Sequence, residues 1–243
     1  MEVTVGLGTC GIAAGAEQTY RSLEARLGNG GPAFKLNKTG CVGMCYREPL
    51  VEIRHDDGSR FQYGGVSADR VERLVAEHLG EGKVIEDWLV WSDDGRGSER
   101  AYFSNQTRIV LRNCGRINPE VLDDYLAASG YQALQKVLEA ADPDALIASI
   151  TDSGLRGRGG AGFLTGMKWR FTRLAAGSRK FVICNADEGD PGAFMDRSVL
   201  ESDPHSVLEG MAIAAFAIGA ADGYIYVRAE YPLAIARLRT AIA

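Results

Sequence analysis

Apolar positions in the first 80 residues predict short strands around two helices. Residues 13–27 carry apolar side chains at helical spacing as far as the glycine-rich stretch 28–31, and Ser67 precedes a second helical run. That second run would bury Val71, Leu74, Val75 and Leu79. The predicted strands are residues 2–6, 33–36, 49–54 and 60–63, the last two joined by a polar turn. The order of strand, helix, strand, hairpin and helix is that of a thioredoxin-like domain.

Beyond residue 105 the pattern changes to helices with two strands among them. Apolar runs at 180–184 and 224–227 predict strands, and the helix between them makes these strands parallel neighbours. Helices are predicted at residues 119–128, at residues 131–140, and from Asp203-Pro204 to about residue 220. Two further helices are predicted to begin at residues 142–143 and at Pro232. Residues 81–104 lose the periodicity and collect charges and glycines, which is typical of a linker. The chain is therefore predicted to be α/β, with domains at 1–80 and 105–243 and a parallel sheet in the second.

Composition and charge exclude several classes of protein. Of the 243 residues, 46% are hydrophobic and 24% are charged, which excludes a disordered or fibrous chain. The formal net charge of −5 argues against a protein that coats nucleic acid. The longest near-apolar run, 211–221, is shorter than the roughly 20 residues of a membrane-spanning helix, and the N-terminus lacks a signal-peptide pattern. Five cysteines at irregular spacing fit a reducing compartment, so we expect a cytoplasmic protein.

A basic, glycine-rich segment is the first candidate for a binding site. Residues 155–180 contain seven bases and no acid, and residues 157–162 read Gly-Arg-Gly-Gly-Ala-Gly. Glycines let backbone N–H groups approach an anion, and Arg158 and Lys168 would supply countercharge. The segment satisfies G-x-G-x-x-G but follows a helical pattern instead of a strand, so a solvated surface loop is the alternative. Three aromatic residues flank it, Phe163, Trp169 and Phe171. They either stack on a planar ring of a ligand or fill a hydrophobic core.

An acidic segment follows the predicted strand 180–184. Residues 187–203 contain six acids and one base, and Asn185 lies at the carboxyl end of the strand, where open parallel sheets bind ligands. The reversal of charge suits a nucleotide, with phosphates at the glycines and ribose or ring groups at the carboxylates. A rival interpretation makes the acids Mg²⁺ ligands in phosphoryl transfer. In a third interpretation, Asp203 only caps a helix and several of the other acids face water.

The cysteines give a weaker signal. Cys41 and Cys45 form a C-x₃-C pair before a predicted strand, and Cys10 lies just after the first strand. Thiolates gathered at loops are typical of iron–sulfur sites, but a [2Fe–2S] cluster takes four cysteines and this half of the chain has three. Cys114 and Cys184 fall in other elements, and Cys184 is expected to be a buried apolar residue.

Two long motifs carry a resemblance to a known family. Residues 154–169 read GLRGRGGAGFLTGMKW and residues 184–197 read CNADEGDPGAFMDR, and further matches are Pro204-His205, 208–211 and YIYVRAE at 224–230. Together they resemble the NADH-binding flavoprotein subunit of complex I-type oxidoreductases. The resemblance is strongest to the fused versions in NAD-linked hydrogenases and formate dehydrogenases, which also carry an N-terminal thioredoxin-like domain. It covers almost the whole chain.

The resemblance implies FMN and NAD bound in one cavity of the second domain. Hydride would pass from NADH to the flavin, and electrons would leave to iron–sulfur subunits of a larger oxidoreductase, without an acid–base catalyst from the protein. The alternative is a non-catalytic docking subunit that has lost its cofactors. The positions that match the cofactor-binding residues of the family are Gly157, Arg158, Gly159, Gly160, Ala161, Gly162, Phe163, Thr165, Gly166, Lys168, Phe171, Asn185, Asp187, Glu188 and Asp190.

The chain departs from the family pattern at three places. Asp190 stands where the family usually has a longer Glu that reaches the nicotinamide side. Cys10 is the one cysteine present of an expected pair, so the ligands of a possible [2Fe–2S] cluster would be Cys10, Cys41 and Cys45. The family continues beyond residue 243 into a flavin loop, a ubiquitin-like module and a bundle with a [4Fe–4S] cluster. We therefore expect a chain truncated at its C-terminus.

Overall fold

The computed structural model describes residues 1–28 and 31–243, without the side chain of Phe103. The helix end predicted at 28–31 includes residues 29 and 30, which lie outside the described residues. The chain forms two compact units. The first consists of residues 1–124 and 198–203, and the second of residues 125–197 and 204–243.

A five-stranded sheet organises the first unit. Its strands are β1 Glu2–Gly6, β2 Lys35–Thr39, β3 Val51–Arg54, β4 Arg60–Tyr63 and β5 Leu89–Ser92, in the order β2-β1-β3-β4-β5. β1 pairs in parallel with β2, and the other neighbours are antiparallel. Helices α1 (Thr9–Ala13) and α2 (Ala16–Glu24) connect β1 to β2. This βαβ unit followed by a hairpin confirms the predicted thioredoxin-like order.

The second predicted helix of this unit closes one face of the sheet. Its backbone is helical in three successive parts, a 3₁₀ turn Ala68–Arg70, helix α3 Val71–Arg73 and a π-helical turn Leu74–Gly80. All four side chains predicted to be buried there are buried. They share one core with alternate residues of β1 and β3, namely Val3, Val5, Val51 and Ile53. The apolar residues that alternate along each strand and those that recur with the helical period are therefore buried in the same core.

Two elements of the first unit differ from the sequence pattern. β2 begins at Lys35 and not at Ala33, because this edge strand reads Lys-Leu-Asn-Lys-Thr and polar edge residues give little alternation. The segment 81–104, predicted as a linker, contains a 3₁₀ turn at Glu86–Trp88, strand β5 and helix α4 (Arg100–Ser104). β5 has four residues, too few for a periodic signal among the surrounding charges. The domain limits themselves stay a prediction.

The second unit builds helices around a two-stranded parallel sheet. Strands β6 (Phe181–Ala186) and β7 (Asp222–Val227) pair along their whole length, which confirms the predicted parallel pair. The helices after residue 120 are α5 Leu122–Ala127, α6 Gln132–Ala140, α7 Pro143–Asp152, α8 Thr165–Leu174, α9 Met195–Ser202, α10 Pro204–Ile218 and α11 Pro232–Ile242. No helix of the described residues has both the length and the apolar character needed to cross a bilayer.

One face of the small sheet is covered and the other is open. Ile147 of α7 and Ala217 and Ile218 of α10 form a buried cluster against which Trp169 and Val182 pack. On the opposite face, Ile183 is 67% exposed and Tyr224 is 58% exposed. Apolar side chains of β6 therefore border open space next to the predicted glycine-rich segment.

Candidate functional site

The predicted glycine-rich segment is a closed loop. Arg156 and Leu164 form an isolated β-bridge at its base, and the Gly157 N–H donates to the Phe163 carbonyl oxygen at 2.8 Å. The Arg156 guanidinium donates to the Gly162 carbonyl oxygen at 2.9 Å. These contacts bring the two ends of the loop together directly before α8. The loop is therefore held by its own backbone and by one arginine.

The glycines leave the loop backbone open. Gly160 and Gly162 have φ values of 96° and 61°, in the left-handed region that side chains other than glycine rarely adopt. A Cβ added at Gly159, Gly160 or Gly162 would meet no atom within 4 Å. A ligand can therefore come close to the backbone N–H groups where a side chain would otherwise stand.

A cavity of about 510 Å³ lies between this loop, α8, β6 and α10. That volume is within the range usual for small-molecule sites, about 300–1,000 Å³. Seven predicted cofactor residues line it, namely Gly157, Gly159, Ala161, Gly162, Phe163, Thr165 and Lys168. The sequence did not single out the other half of the lining, which includes Thr172, Phe181, Ile183, Ala214 and Ile218. No signal in the sequence marks these residues, because residues 181–184 are all apolar and the exposure of Phe181 and Ile183 follows from the tertiary structure.

Aromatic side chains have two different roles here. Phe163 is 49% exposed and Phe171 is 57% exposed, with ring centroids 6.3 Å apart. Trp169 packs against the core cluster of the second unit and also lines the cavity. The two phenylalanines are thus available for stacking, whereas Trp169 mainly supports the wall.

Gly166 has a packing role. It is buried in the first turn of α8, and an added Cβ would lie 2.2 Å from Thr151 Oγ1. Since real Cβ atoms do not come that close, glycine is required for α8 to pack against α7. The residue is outside the cavity lining.

The acidic predicted residues lie in the loop after β6, also outside the cavity lining. Asn185 Oδ1 accepts a hydrogen bond from the Asp187 N–H at 3.3 Å, and Asp190 is exposed. The remaining predicted residues outside the lining are Arg158, Gly160 and Phe171. The structure therefore assembles the basic half of the predicted site into one cavity and leaves the acidic half in a separate loop.

Glu188 holds that loop together. Its carboxylate accepts hydrogen bonds from the backbone N–H groups of Asp196 at 2.7 Å and Arg197 at 3.1 Å, and from the Tyr231 hydroxyl at 3.1 Å. Its own backbone has φ 49°, and its carbonyl oxygen accepts from Arg228 at 3.0 Å. Burial raises the pKa of the neighbouring Asp196, and the Glu188 charge adds to this effect. The Glu188 carboxylate is thus already engaged by the protein.

Three of the four cysteines of the first unit, Cys10, Cys41 and Cys45, come together. Cys41 Sγ and Cys45 Sγ are 3.6 Å apart, and the Cys10 thiol hydrogen-bonds to Cys45. Burial raises the pKa of both Cys41 and Cys45, which favours protonated thiols. Within the described ranges, no group of three or more His, Cys, Asp or Glu residues is placed to hold a metal ion. The donor set is one thiolate short of a [2Fe–2S] site, and that cluster stays a prediction.

Part of the chain is similar to a known family. Residues 150–243 match the family model of the Nuo51 FMN-binding domain, and the matched range includes the glycine loop, the cavity lining and the acidic loop. All fifteen predicted cofactor-binding positions fall within the matched residues.

Relatives extend the likeness beyond the FMN-binding domain. NADP-reducing hydrogenase subunit HndC of Solidesulfovibrio fructosivorans is 58% identical over 137 residues, which are 56% of this chain and 28% of that protein. The alpha subunit of NAD-reducing hydrogenase HoxS of Cupriavidus necator is 34% identical over 231 residues, 91% of this chain and 35% of that protein. The chain thus spans about a third of the length of these relatives. A crystal structure of an NAD⁺-reducing [NiFe]-hydrogenase in the air-oxidised state matches 99% of this chain and 39% of its own at 28% identity, with a TM-score of 0.45.

Proposed function

We propose that this chain is part of an NADH-oxidising flavoprotein subunit that binds FMN in the cavity next to the glycine loop. The observation that carries the proposal is the open loop backbone beside a cavity, within residues that match an FMN-binding domain.

The loop and α8 would hold the phosphate of the flavin. Open space beside Gly159, Gly160 and Gly162 would let the phosphate approach the loop backbone, and Lys168 lines the cavity with its charged side chain exposed. The N-terminus of α8 follows the loop directly, and helix N-termini favour anions through their unpaired N–H groups and dipole. Arg156 would keep the loop in this form without contacting the ligand.

Apolar and aromatic residues would position the planar part of the ligand. Phe163, Phe181, Ile183 and Ile218 all line the cavity and make much of its surface apolar. Such a lining excludes water from the reacting face and lets a flat ring stack. Bound FMN supplies the hydride-accepting chemistry. No side chain of the cavity needs to donate or accept a proton for that role.

Partners follow from the same chemistry. The relatives are named as subunits of hydrogenases and of NADH-quinone oxidoreductases, so we propose that this chain also works within a multi-subunit oxidoreductase. Electrons on a flavin need an acceptor, and iron–sulfur subunits are the expected one. We propose NAD(H) as the nucleotide substrate, with the acidic loop around Asp187 and Asp190 on its side of the site.

The test is a visible spectrum of the chain mixed with FMN under anaerobic conditions, before and after NADH. A bound-flavin spectrum that bleaches on NADH supports the proposal. A matched pair locates the site, because Lys168 lines the cavity while Arg170 is exposed on the same helix and outside the lining. We expect Lys168→Ala to weaken FMN binding by about tenfold and Arg170→Ala by less than about twofold. A spectrum without flavin binding would favour the docking subunit.

A further inference from the structure

A second cavity, of about 360 Å³, lies within the first unit and is lined by arginines. One wall is the sheet, with Glu52 on β3, Arg60 and Gln62 on β4, and Trp91 on β5. The other wall is the irregular segment after α4, which contributes Arg108, Arg112 and Arg116. All of these residues precede the FMN-binding domain, so the proposed flavin site does not account for them.

The charge of this arginine cavity is strongly unbalanced. Its described lining residues include four arginines and one carboxylate, that of Glu52. Arg60 already pairs with Asp93 at 3.1 Å and lies over the Trp91 ring at 4.8 Å from the centroid, so it is fixed in place. Arg112 and Arg116 are exposed, and neither forms a salt bridge within the described residues. Positive charge is therefore gathered around this cavity in a chain whose net charge is −5.

We propose that the arginine cavity binds a small molecule that carries two or more phosphate groups. Guanidinium groups present paired N–H donors that match phosphate oxygens in a bidentate manner, and several of them around one cavity suit a ligand with several negative oxygens. The fixed Arg60 beside the Trp91 ring gives one preorganised contact, and Arg112 and Arg116 can close on the ligand from the opposite wall. The volume suits a single small molecule better than a nucleic-acid strand. This site is additional to the proposed FMN site.

Calorimetric titration of the full chain with inorganic pyrophosphate tests the proposal at fixed ionic strength. We expect one saturable site in the unaltered chain. The double substitution Arg112→Gln with Arg116→Gln should weaken that binding at least about tenfold, since two charge-assisted contacts are lost. Both residues are exposed, so the fold should be retained, and the circular dichroism spectrum and thermal unfolding of the same variant check this.

A second variant separates this site from the glycine loop, which could also take pyrophosphate. Lys168→Gln should leave pyrophosphate binding within about twofold of the unaltered chain, because Lys168 lines only the other cavity. Loss of binding in Lys168→Gln with full binding in the double variant would overturn the proposal, as would the absence of saturable binding. Citrate binding as tight as pyrophosphate binding would overturn the assignment to phosphate. Failure of FMN binding alone would overturn the flavin proposal and leave this one standing.

Discussion

The Arg156 guanidinium donates a hydrogen bond to the Gly162 carbonyl oxygen at 2.9 Å and so closes the glycine loop on itself. Five residues lie between the two partners, among them Gly159 and Gly160, which have open space where a Cβ would stand. Arg156 is outside the cavity lining, so its effect on a ligand is through the shape of the loop. It is a positioning residue.

Substitution of Arg156 by Gln should weaken FMN binding about three- to tenfold, because an exposed charged hydrogen bond stabilises by about 1 kcal/mol. Fluorescence titration of FMN measures the change. Arg170→Gln is the matched control, since it removes the same charge from the same basic segment without a loop contact. Equal weakening in both variants would mean that only general positive charge matters. The temperature of unfolding should hardly change in either.

Gly166→Ala should destabilise the second unit by about 1–3 kcal/mol, the usual cost of overpacking. The added Cβ would lie 2.2 Å from Thr151 Oγ1, and α7 and α8 would have to separate. Gly210, in the middle of α10, has nothing within 4 Å of an added Cβ and serves as the control. Gly210→Ala should stabilise by about 0.5–1 kcal/mol through helix propensity. Urea denaturation measures both, and a harmless Gly166→Ala would show that the helices are not in contact there.

Tyr231→Phe should lower the free energy of unfolding by about 1 kcal/mol, since the hydroxyl donates a partly buried hydrogen bond to the Glu188 carboxylate at 3.1 Å. Tyr231 is 6% exposed, so water cannot fully replace the lost bond. Tyr226→Phe is the control, because it removes a hydroxyl from a side chain that is 60% exposed. It should change the free energy of unfolding by a few tenths of a kcal/mol at most, about the scatter of surface substitutions. Thermal unfolding of the two variants gives the comparison. Indistinguishable variants would argue that Glu188 does not depend on this bond.

His78 should make the protein less stable as the pH drops from about 6.5 to 4, whereas Glu48, whose pKa burial raises to about 7, acts in the opposite direction. Burial lowers the pKa of His78 from 6.5 to about 4, and the neighbouring His55, at 2.7 Å between Nε2 atoms, adds to this. Between pH 6.5 and 4 the unfolded chain therefore binds a proton at this histidine that the folded chain does not bind. The contribution of His78 lowers the free energy of unfolding by up to about 3 kcal/mol. In His78→Gln this part of the pH dependence should disappear. Denaturation at pH 7, 5.5 and 4 gives the free energy of unfolding of both proteins. The assignment would be contradicted if the unaltered protein and His78→Gln showed the same change in free energy of unfolding between pH 7 and 4.

Local patterns determined most of the elements. Alternation in β1, β3 and β4, the apolar spacing of residues 71–79 and the prolines at the starts of α7, α10 and α11 each depend on neighbouring residues only. They predicted the thioredoxin-like order and the parallel β6–β7 pair, and the GLRGRGGAGFLTGMKW motif predicted the family of residues 150–243. Strand β5 was not predicted and β2 was predicted to begin two residues too early, because the pairing of such short or polar strands is set by distant strands and not by their own period.

The candidate site, like the fold, was predicted from the sequence only in part. Sequence by itself determined which residue types stand in the glycine loop and at the end of β6, because motif and charge are written in the chain. Only the tertiary structure decided that Arg156 closes the loop, that Gly166 is a packing residue and that the Glu188 carboxylate is occupied by the protein. It also decided that three arginines after α4 face β4 and β5 across a cavity. Contacts of this kind join residues far apart in sequence, and they depend on distances that no local pattern of residues contains.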